Sequence, residues 1–129
     1  MKFGRYRIRP EGGSDNLTAD AAAAKSASYL FDEIKERLAR GPAQLNIFVQ
    51  IAEDGDTTDN ATVHWPESRS QIAFGTVELT RVLPDSNFAQ HEIIFDPVPK
   101  VDGIDTSGDP LPKLRSAAYL MSGRRRKQG

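Results

Sequence analysis

The stretch "AQLNIFVQIA", residues 43–52, alternates aliphatic side chains with polar or aromatic ones. The aliphatic set that shares one side of an extended chain is Leu45, Ile47, Val49 and Ile51. Alternation with a period of two over so short a run is typical of a β-strand, and the turn-rich "EDGDTTDN" follows it. The segment therefore predicts a strand, and its neighbours decide what sheet it joins.

A second strand is predicted near the start of the chain, in "KFGRYRIRP". Its alternating residues are Tyr6 and Ile8 on one face, and Arg5, Arg7 and Arg9 on the other. This pattern indicates a half-buried strand, which Pro10 and the following glycines end.

The region between these strands, Thr18 to Arg40, predicts a long helix, because its apolar residues are spaced to share one helical face. Gly41 and Pro42 form a strong stop signal. The first half, "TADAAAAKSA", fits a loop or a frayed helix equally well, since Ser26 and Ser28 can act as caps.

Two more strands are predicted downstream. The run from Ile72 to Leu83 is rich in β-branched and aromatic residues, and Gly75 inside it suggests a bulge or a close approach to another backbone. The second, "FAQHEIIFDP", is closed by prolines. Short turns between consecutive strands favour antiparallel pairing.

A terminal helix over residues 108–127 is predicted after these strands, with Ser107 or Asp109 as its cap and Pro110 near its first position. The expected fold class is therefore α+β, with an antiparallel sheet of about four strands, one long helix and a C-terminal helix. We expect a single domain over residues 1–129, with the strands and the long helix in residues 1–100. Such a sheet has open edges and an uncovered face, which suggests missing structure.

Composition sets broader bounds. The hydrophobic content of 38% and charged content of 27% are typical of a soluble globular protein. A net charge of −1 gives no general attraction to nucleic acid. The sequence has no cysteine, which excludes disulfides and thiolate metal sites, and it shows no secretory signal or membrane-spanning run. We therefore expect a cytoplasmic protein that binds neither nucleic acid nor membrane.

The pair Arg115 and Tyr119 carries the most specific chemistry. Residues four apart lie one turn apart on the same helical face. A guanidinium beside a phenol oxygen favours the negatively charged phenolate, and a phenolate is a ligand for ferric iron. On the pair alone, an ordinary packing contact on an amphipathic helix explains the spacing better.

The order of motifs along the chain favours the iron-ligand interpretation over an ordinary packing contact. "FDPVPKVDGIDTSGDPLPKLRSAAY" resembles the segment of haem catalases that leads to the proximal helix, with Phe-Asn/Asp-Pro, a loop, a Ser-x-Asp-Pro turn and then Arg-x-x-x-Tyr. "TVHWPESRSQIAFGTVELTR" and "LFDEIKERLARGPAQLNIFVQIAEDGD" are similar to the preceding family segments. "RSAAY" looks most like the small catalase-related peroxidases. The chain thus resembles the C-terminal, proximal half of the catalase core.

The resemblance implies roles for three residues. Tyr119 is the expected proximal ligand of the haem (ferric iron protoporphyrin), and Arg115 holds its oxygen deprotonated, so these two are the expected catalytic residues. Arg126, seven residues after Tyr119, matches the arginine that binds a haem propionate. Arg124 is a weaker candidate, and a solvated helix end that complements the helix dipole equally explains Arg124 and Arg125.

The implied function is decomposition of hydrogen peroxide by a catalase or peroxidase, in the response to oxidative stress. Catalases close an eight-stranded barrel, of which these strands supply one half. The distal histidine and asparagine belong to the other half, and neither His64 nor His91 stands in a matching motif. We therefore expect either a truncated product, or a partner chain or homo-oligomer that supplies the missing half.

Three alternatives remain open at this stage. The first alternative is a non-catalytic haem-binding fragment. The second is a relative that rearranges fatty-acid hydroperoxides, and the third is a nucleic-acid module that uses the basic tail. The third is disfavoured by the net charge and by the lack of interleaved aromatic residues.

Overall fold

The computed structural model describes residues 2–99 and 101–128. In these residues the chain forms a sheet and four helices, which confirms the α+β class. The strands are β1 (Gly4–Pro10), β2 (Ala43–Ile51) and β3 (Gln71–Leu79). The helices are α1 (Ala19–Ala23), α2 (Tyr29–Arg40), α3 (Ser86–Glu92) and α4 (Leu111–Gln128).

The chain divides into two compact units. The sheet unit comprises Gly4–Gln50 and Gln71–Leu83. The C-terminal unit comprises Met1–Phe3, Ile51–Ser70 and Pro84–Gly129. Within the described residues, none of the helices is long and apolar enough to cross a lipid bilayer.

In the sheet unit, β2 is the central strand and β1 and β3 are its neighbours. β3 pairs with β2 in an antiparallel register. β1 is also antiparallel, because Gly4 lies against Val49 at one end and the Glu11 backbone N–H donates to the Gln44 carbonyl at the other, over 2.9 Å. The described sheet is therefore open at both edges, as the sequence predicts.

The bulge predicted from Gly75 is confirmed. Ile47 pairs with Gly75, whereas the next residue, Phe48, pairs with Ala73. Phe74 is thus the extra residue of β3 and has no partner on β2. Its ring instead meets the ring of Tyr6 edge-on, with the ring centroids 5.8 Å apart.

The two faces of the sheet have different environments. On β1 the arginine face is the half-buried one, with Arg5 and Arg7 partly covered, whereas Tyr6 and Ile8 are exposed. The Nε of Arg7 donates to the side-chain oxygen of the fully buried Gln50, over 3.2 Å. The sequence predicts a half-buried strand correctly, but the covered side is the polar one.

The fourth predicted strand, in residues 88–97, is wrong. Its first part belongs to α3, and the remainder is irregular. Ala89, Gln90 and Glu92 all favour helix over strand. Pro97 and Pro99 lack the N–H group that a strand ladder needs. Over the residues that the structure describes, the sheet therefore has three strands rather than about four.

The predicted long helix is interrupted between Ala23 and Tyr29, so α1 and α2 are separate. The Thr18 hydroxyl caps α1 by accepting a hydrogen bond from the Ala21 backbone N–H over 3.3 Å. Ser28 occupies the N-cap position of α2 without a side-chain cap hydrogen bond. The alternative of a loop in this region is thus correct in part, because serines compete with the helical backbone for hydrogen bonds.

In the C-terminal unit, the loop after β2 is closed by side chains. Trp65 is the only large apolar side chain buried in the described residues, and its indole N–H donates to the Thr57 carbonyl over 2.7 Å. Arg69 donates to both carboxylate oxygens of Asp56, over 2.9 and 3.1 Å. This hydrogen bonding to Asp56 raises the pKa of Arg69 above its usual value. The acidic loop therefore uses a carboxylate to bind an arginine.

Candidate functional site

The candidate site lies on α4, whose start is fixed by a buried carboxylate. One oxygen of Asp109 accepts a hydrogen bond from the Leu111 backbone N–H over 2.8 Å. The other accepts from the Ala61 backbone N–H over 2.6 Å, which ties the helix start to the loop after β2. Of the two predicted caps, Ser107 and Asp109, it is therefore Asp109 that caps the helix, and the helix begins at Leu111 rather than at residue 108.

Arg115 and Tyr119 meet on this helix as their spacing predicts. Arg115 donates two hydrogen bonds to the phenol oxygen of Tyr119, from Nε over 3.0 Å and from Nη2 over 2.7 Å. The guanidinium carbon also lies 5.5 Å from the centre of the tyrosine ring. Both donors of one fork thus converge on a single oxygen atom, an arrangement that stabilises negative charge on it.

A cleft of about 410 Å³ opens beside this tyrosine. Its walls are formed by Phe95, Tyr119, Ser122 and Arg126. The cleft combines one aromatic wall, one phenol and one cation, so it suits a flat apolar ligand that carries a negative group.

Arg126 lines this cleft and is held from two sides. Its Nη1 donates to the Ser122 hydroxyl over 3.0 Å, and its Nη2 donates to the Ile93 carbonyl over 2.9 Å. Arg124 and Arg125 are exposed and do not line the cleft. Of the three arginines in this run, Arg126 is therefore the one that the fold brings to Tyr119.

Neither histidine lines the cleft in the part of the chain that the structure describes, and both His64 and His91 are exposed. Over residues 2–99 and 101–128, no group of three His, Cys, Asp or Glu side chains is placed to hold a metal ion. The phenol of Tyr119 is thus the group in the cleft with the chemistry of an iron ligand.

Sequence reasoning missed two features of this site. Ser122 does not belong to any of the motifs recognised in the sequence. Its position four residues before Arg126 nevertheless predicts that the two side chains meet on a helix. Gly123 is the buried residue of α4, and the side chain of Ile94 packs against it. A Cβ atom at this position would lie 2.6 Å from the Ile94 side chain. A glycine inside a predicted helix often indicates a close packing contact, so the sequence did carry a signal for this one.

Comparison with known proteins identifies relatives of this chain. No protein-family model matches the sequence. A catalase-related peroxidase of Synechococcus elongatus is 32% identical over 125 residues, which cover 97% of this chain and 37% of the relative. A catalase-related peroxidase of Mycolicibacterium paratuberculosis is 32% identical over 121 residues, which cover 94% of this chain and 38% of the relative.

The chain therefore spans less than two fifths of the length of either relative, while almost all of its own length is matched. By sequence, this chain is therefore similar to part of the length of two catalase-related peroxidases.

Proposed function

We propose that this chain binds ferric haem through Tyr119 and takes part in catalase or peroxidase chemistry, with hydrogen peroxide as the substrate. The observation that carries this proposal is the pair of hydrogen bonds from Arg115 to the Tyr119 oxygen. The names of the two relatives support peroxide as the substrate. Bound haem supplies the redox-active iron at which peroxide reacts.

The hydrogen bonds of Tyr119 suit the anionic form. A neutral phenol oxygen has two lone pairs, and the two donors of Arg115 occupy both of them. A phenolate oxygen has a further lone pair, which remains for iron. Arg115 therefore orients the Tyr119 oxygen through these two hydrogen bonds.

The remaining walls of the cleft fit the rest of a haem. The ring of Phe95 is exposed and offers an apolar surface to a flat macrocycle. Arg126 supplies a positive charge on the same wall as Tyr119, and a propionate carboxylate is the part of haem that pairs with a guanidinium. We assign Arg126 this role in preference to Arg124.

The opposite side of the haem needs a group that moves a proton between the two peroxide oxygens. Neither His64 nor His91 lines the described cleft, and the chain spans only 37% and 38% of its relatives. We propose that this group is contributed by a polypeptide segment outside these 129 residues.

Titration of the purified chain with hemin tests the ligand assignment. We expect a tyrosinate-type absorption spectrum, which Tyr119→Phe abolishes because the mutant lacks the oxygen. Tyr29→Phe is the matched control, since Tyr29 is also half-buried but belongs to the sheet unit and does not line the cleft. A Tyr119→Phe spectrum that matches the wild-type spectrum would remove Tyr119 as the ligand.

Substrate assays of the loaded chain separate the remaining alternatives. Oxygen release from hydrogen peroxide, or oxidation of an added donor, supports the proposed activity. A tyrosinate spectrum without turnover supports a non-catalytic haem-binding protein. Conversion of a fatty-acid hydroperoxide, with hydrogen peroxide left intact, supports a hydroperoxide-rearranging relative.

A further inference from the structure

A close contact on α4 brings a second chain segment to the cleft. A Cβ atom at Gly123 would lie 2.6 Å from Cγ1 and 3.0 Å from Cδ1 of Ile94, closer than non-bonded carbon atoms approach. Glycine is disfavoured in a helix relative to alanine, so its presence here serves the contact. Gly123 therefore lets residues 93–95 lie directly against the helix.

This approach gives Arg126 an acceptor that its own helix cannot supply. The Ile93 carbonyl lies 2.9 Å from Nη2 and is 33 residues away in sequence. The Ser122 hydroxyl, one turn earlier on α4, lies 3.0 Å from Nη1. The two terminal nitrogens of the guanidinium are therefore fixed from opposite sides, one by each segment.

An arginine held in this way is prepared to bind an anion. A guanidinium carries five N–H groups, and Ser122 and Ile93 take one each, which leaves three for a ligand in the cleft. A free arginine side chain loses much rotational freedom when it binds. Because Arg126 is already ordered, less freedom is lost and the affinity for the anion rises.

We infer that Ser122 and Gly123 are positioning residues, which act through Arg126 to hold a carboxylate of the ligand that binds at Tyr119. Ser122 supplies an acceptor directly, and Gly123 admits the segment that carries the Ile93 carbonyl. This inference rests on the proposed haem-binding function for the identity of the ligand. The positioning itself is a property of the chain without ligand.

Two ligands that differ only in their carboxylates test the role of Ser122. We expect Ser122→Ala to weaken binding of hemin by about 3- to 10-fold, which corresponds to one hydrogen bond. The same variant should change binding of hemin dimethyl ester, whose carboxylates are blocked, by less than about 2-fold. Ser122→Thr, which keeps the hydroxyl, should restore hemin affinity. An equal loss for both ligands, or no loss for hemin, would overturn the inference.

A compensating pair of substitutions tests Gly123. Gly123→Ala adds a methyl group that meets Ile94, so we expect weaker hemin binding. Ile94→Ala removes the two atoms that the methyl group meets, and the double variant should regain most of the lost affinity. A double variant as weak as Gly123→Ala alone, with both folded by circular dichroism, would contradict the role of Gly123.

A measurement on the ligand-free chain separates this inference from the proposed function. We expect slow rotation and slow solvent exchange of the Arg126 guanidinium hydrogens by NMR, with both becoming faster in Ser122→Ala. Arg126→Lys assigns the signal. Fast exchange in the wild-type chain would overturn the positioning role even where hemin binds. Slow exchange in a chain that shows no tyrosinate spectrum would support the positioning and overturn the haem assignment.

Discussion

On one face of the sheet, a glutamine side chain is completely buried, while on the other face two isoleucines lie open to solvent. Gln50 is 0% exposed and accepts a hydrogen bond from Arg7. Ile8 and Ile72, on the opposite face, are 61% and 57% exposed. The usual arrangement places the apolar side inward. The comparison shows that alternation sorts side chains into two faces but does not determine which face is covered.

The polar face is held together by side chains that bond across the strands. Thr76 donates to Asn46 over 3.0 Å, and Gln44 donates to Glu78 over 2.8 Å. These pairs are register partners on β2 and β3. Such bonds contribute modestly each, about 0.5–1.5 kcal/mol, but a buried group that loses its partner costs more. The stability of the sheet should therefore depend more on the buried Gln50 than on the exposed polar pairs or the exposed isoleucines.

The largest effect is expected at Gln50. Gln50→Met keeps the side-chain length and removes the amide, so it leaves Arg7 without one partner and should lower the free energy of unfolding by about 1–3 kcal/mol. Urea unfolding measures this change. Gln44→Met is the matched control on the same strand and face, and should cost less than about 1 kcal/mol because its bond to Glu78 is exposed. Equal costs at the two positions would contradict the difference in burial.

A smaller effect is expected at Thr76. Thr76→Val replaces the hydroxyl with a methyl group and should lower the free energy of unfolding by about 0.5–1 kcal/mol. A double-mutant cycle with Asn46→Ala isolates the pair, and we expect a coupling energy of at least about 0.5 kcal/mol. Additive effects of the two substitutions would mean that this cross-strand hydrogen bond contributes nothing to stability.

The smallest effect is expected on the apolar face. Ile72→Thr keeps the branched side chain that a strand favours, and should change the free energy of unfolding by less than about 0.5 kcal/mol, because Ile72 is already exposed. It should also reduce binding of a hydrophobic dye. A cost above about 2 kcal/mol that grows with protein concentration would show that another copy of the chain covers this face.

Local contacts account for the parts of the candidate site that the sequence predicts. Arg115 and Tyr119 lie four residues apart, so helical geometry alone brings them together. Asp109 caps the helix through backbone groups next to it in sequence. The Ile93 carbonyl that fixes Arg126 is 33 residues away, and no spacing rule predicts such a contact. The failed strand prediction after Phe88 has a related cause, since a short apolar run with weak periodicity fits a helix as well.

By itself, the sequence determined the α+β class, the bulge at Gly75 and the pairing of Arg115 with Tyr119. The class and the Arg115–Tyr119 pair follow from strand alternation and the helical repeat, which act between residues close in sequence. The bulge has a local signal, the glycine within β3, although its partner Ile47 lies on another strand. Only the tertiary structure decided that Gln50 is fully buried while Ile8 and Ile72 are exposed, and that Arg126 meets the Ile93 carbonyl. Those outcomes depend on which distant segments pack together, because burial is a property of the surroundings of a side chain and not of the side chain itself.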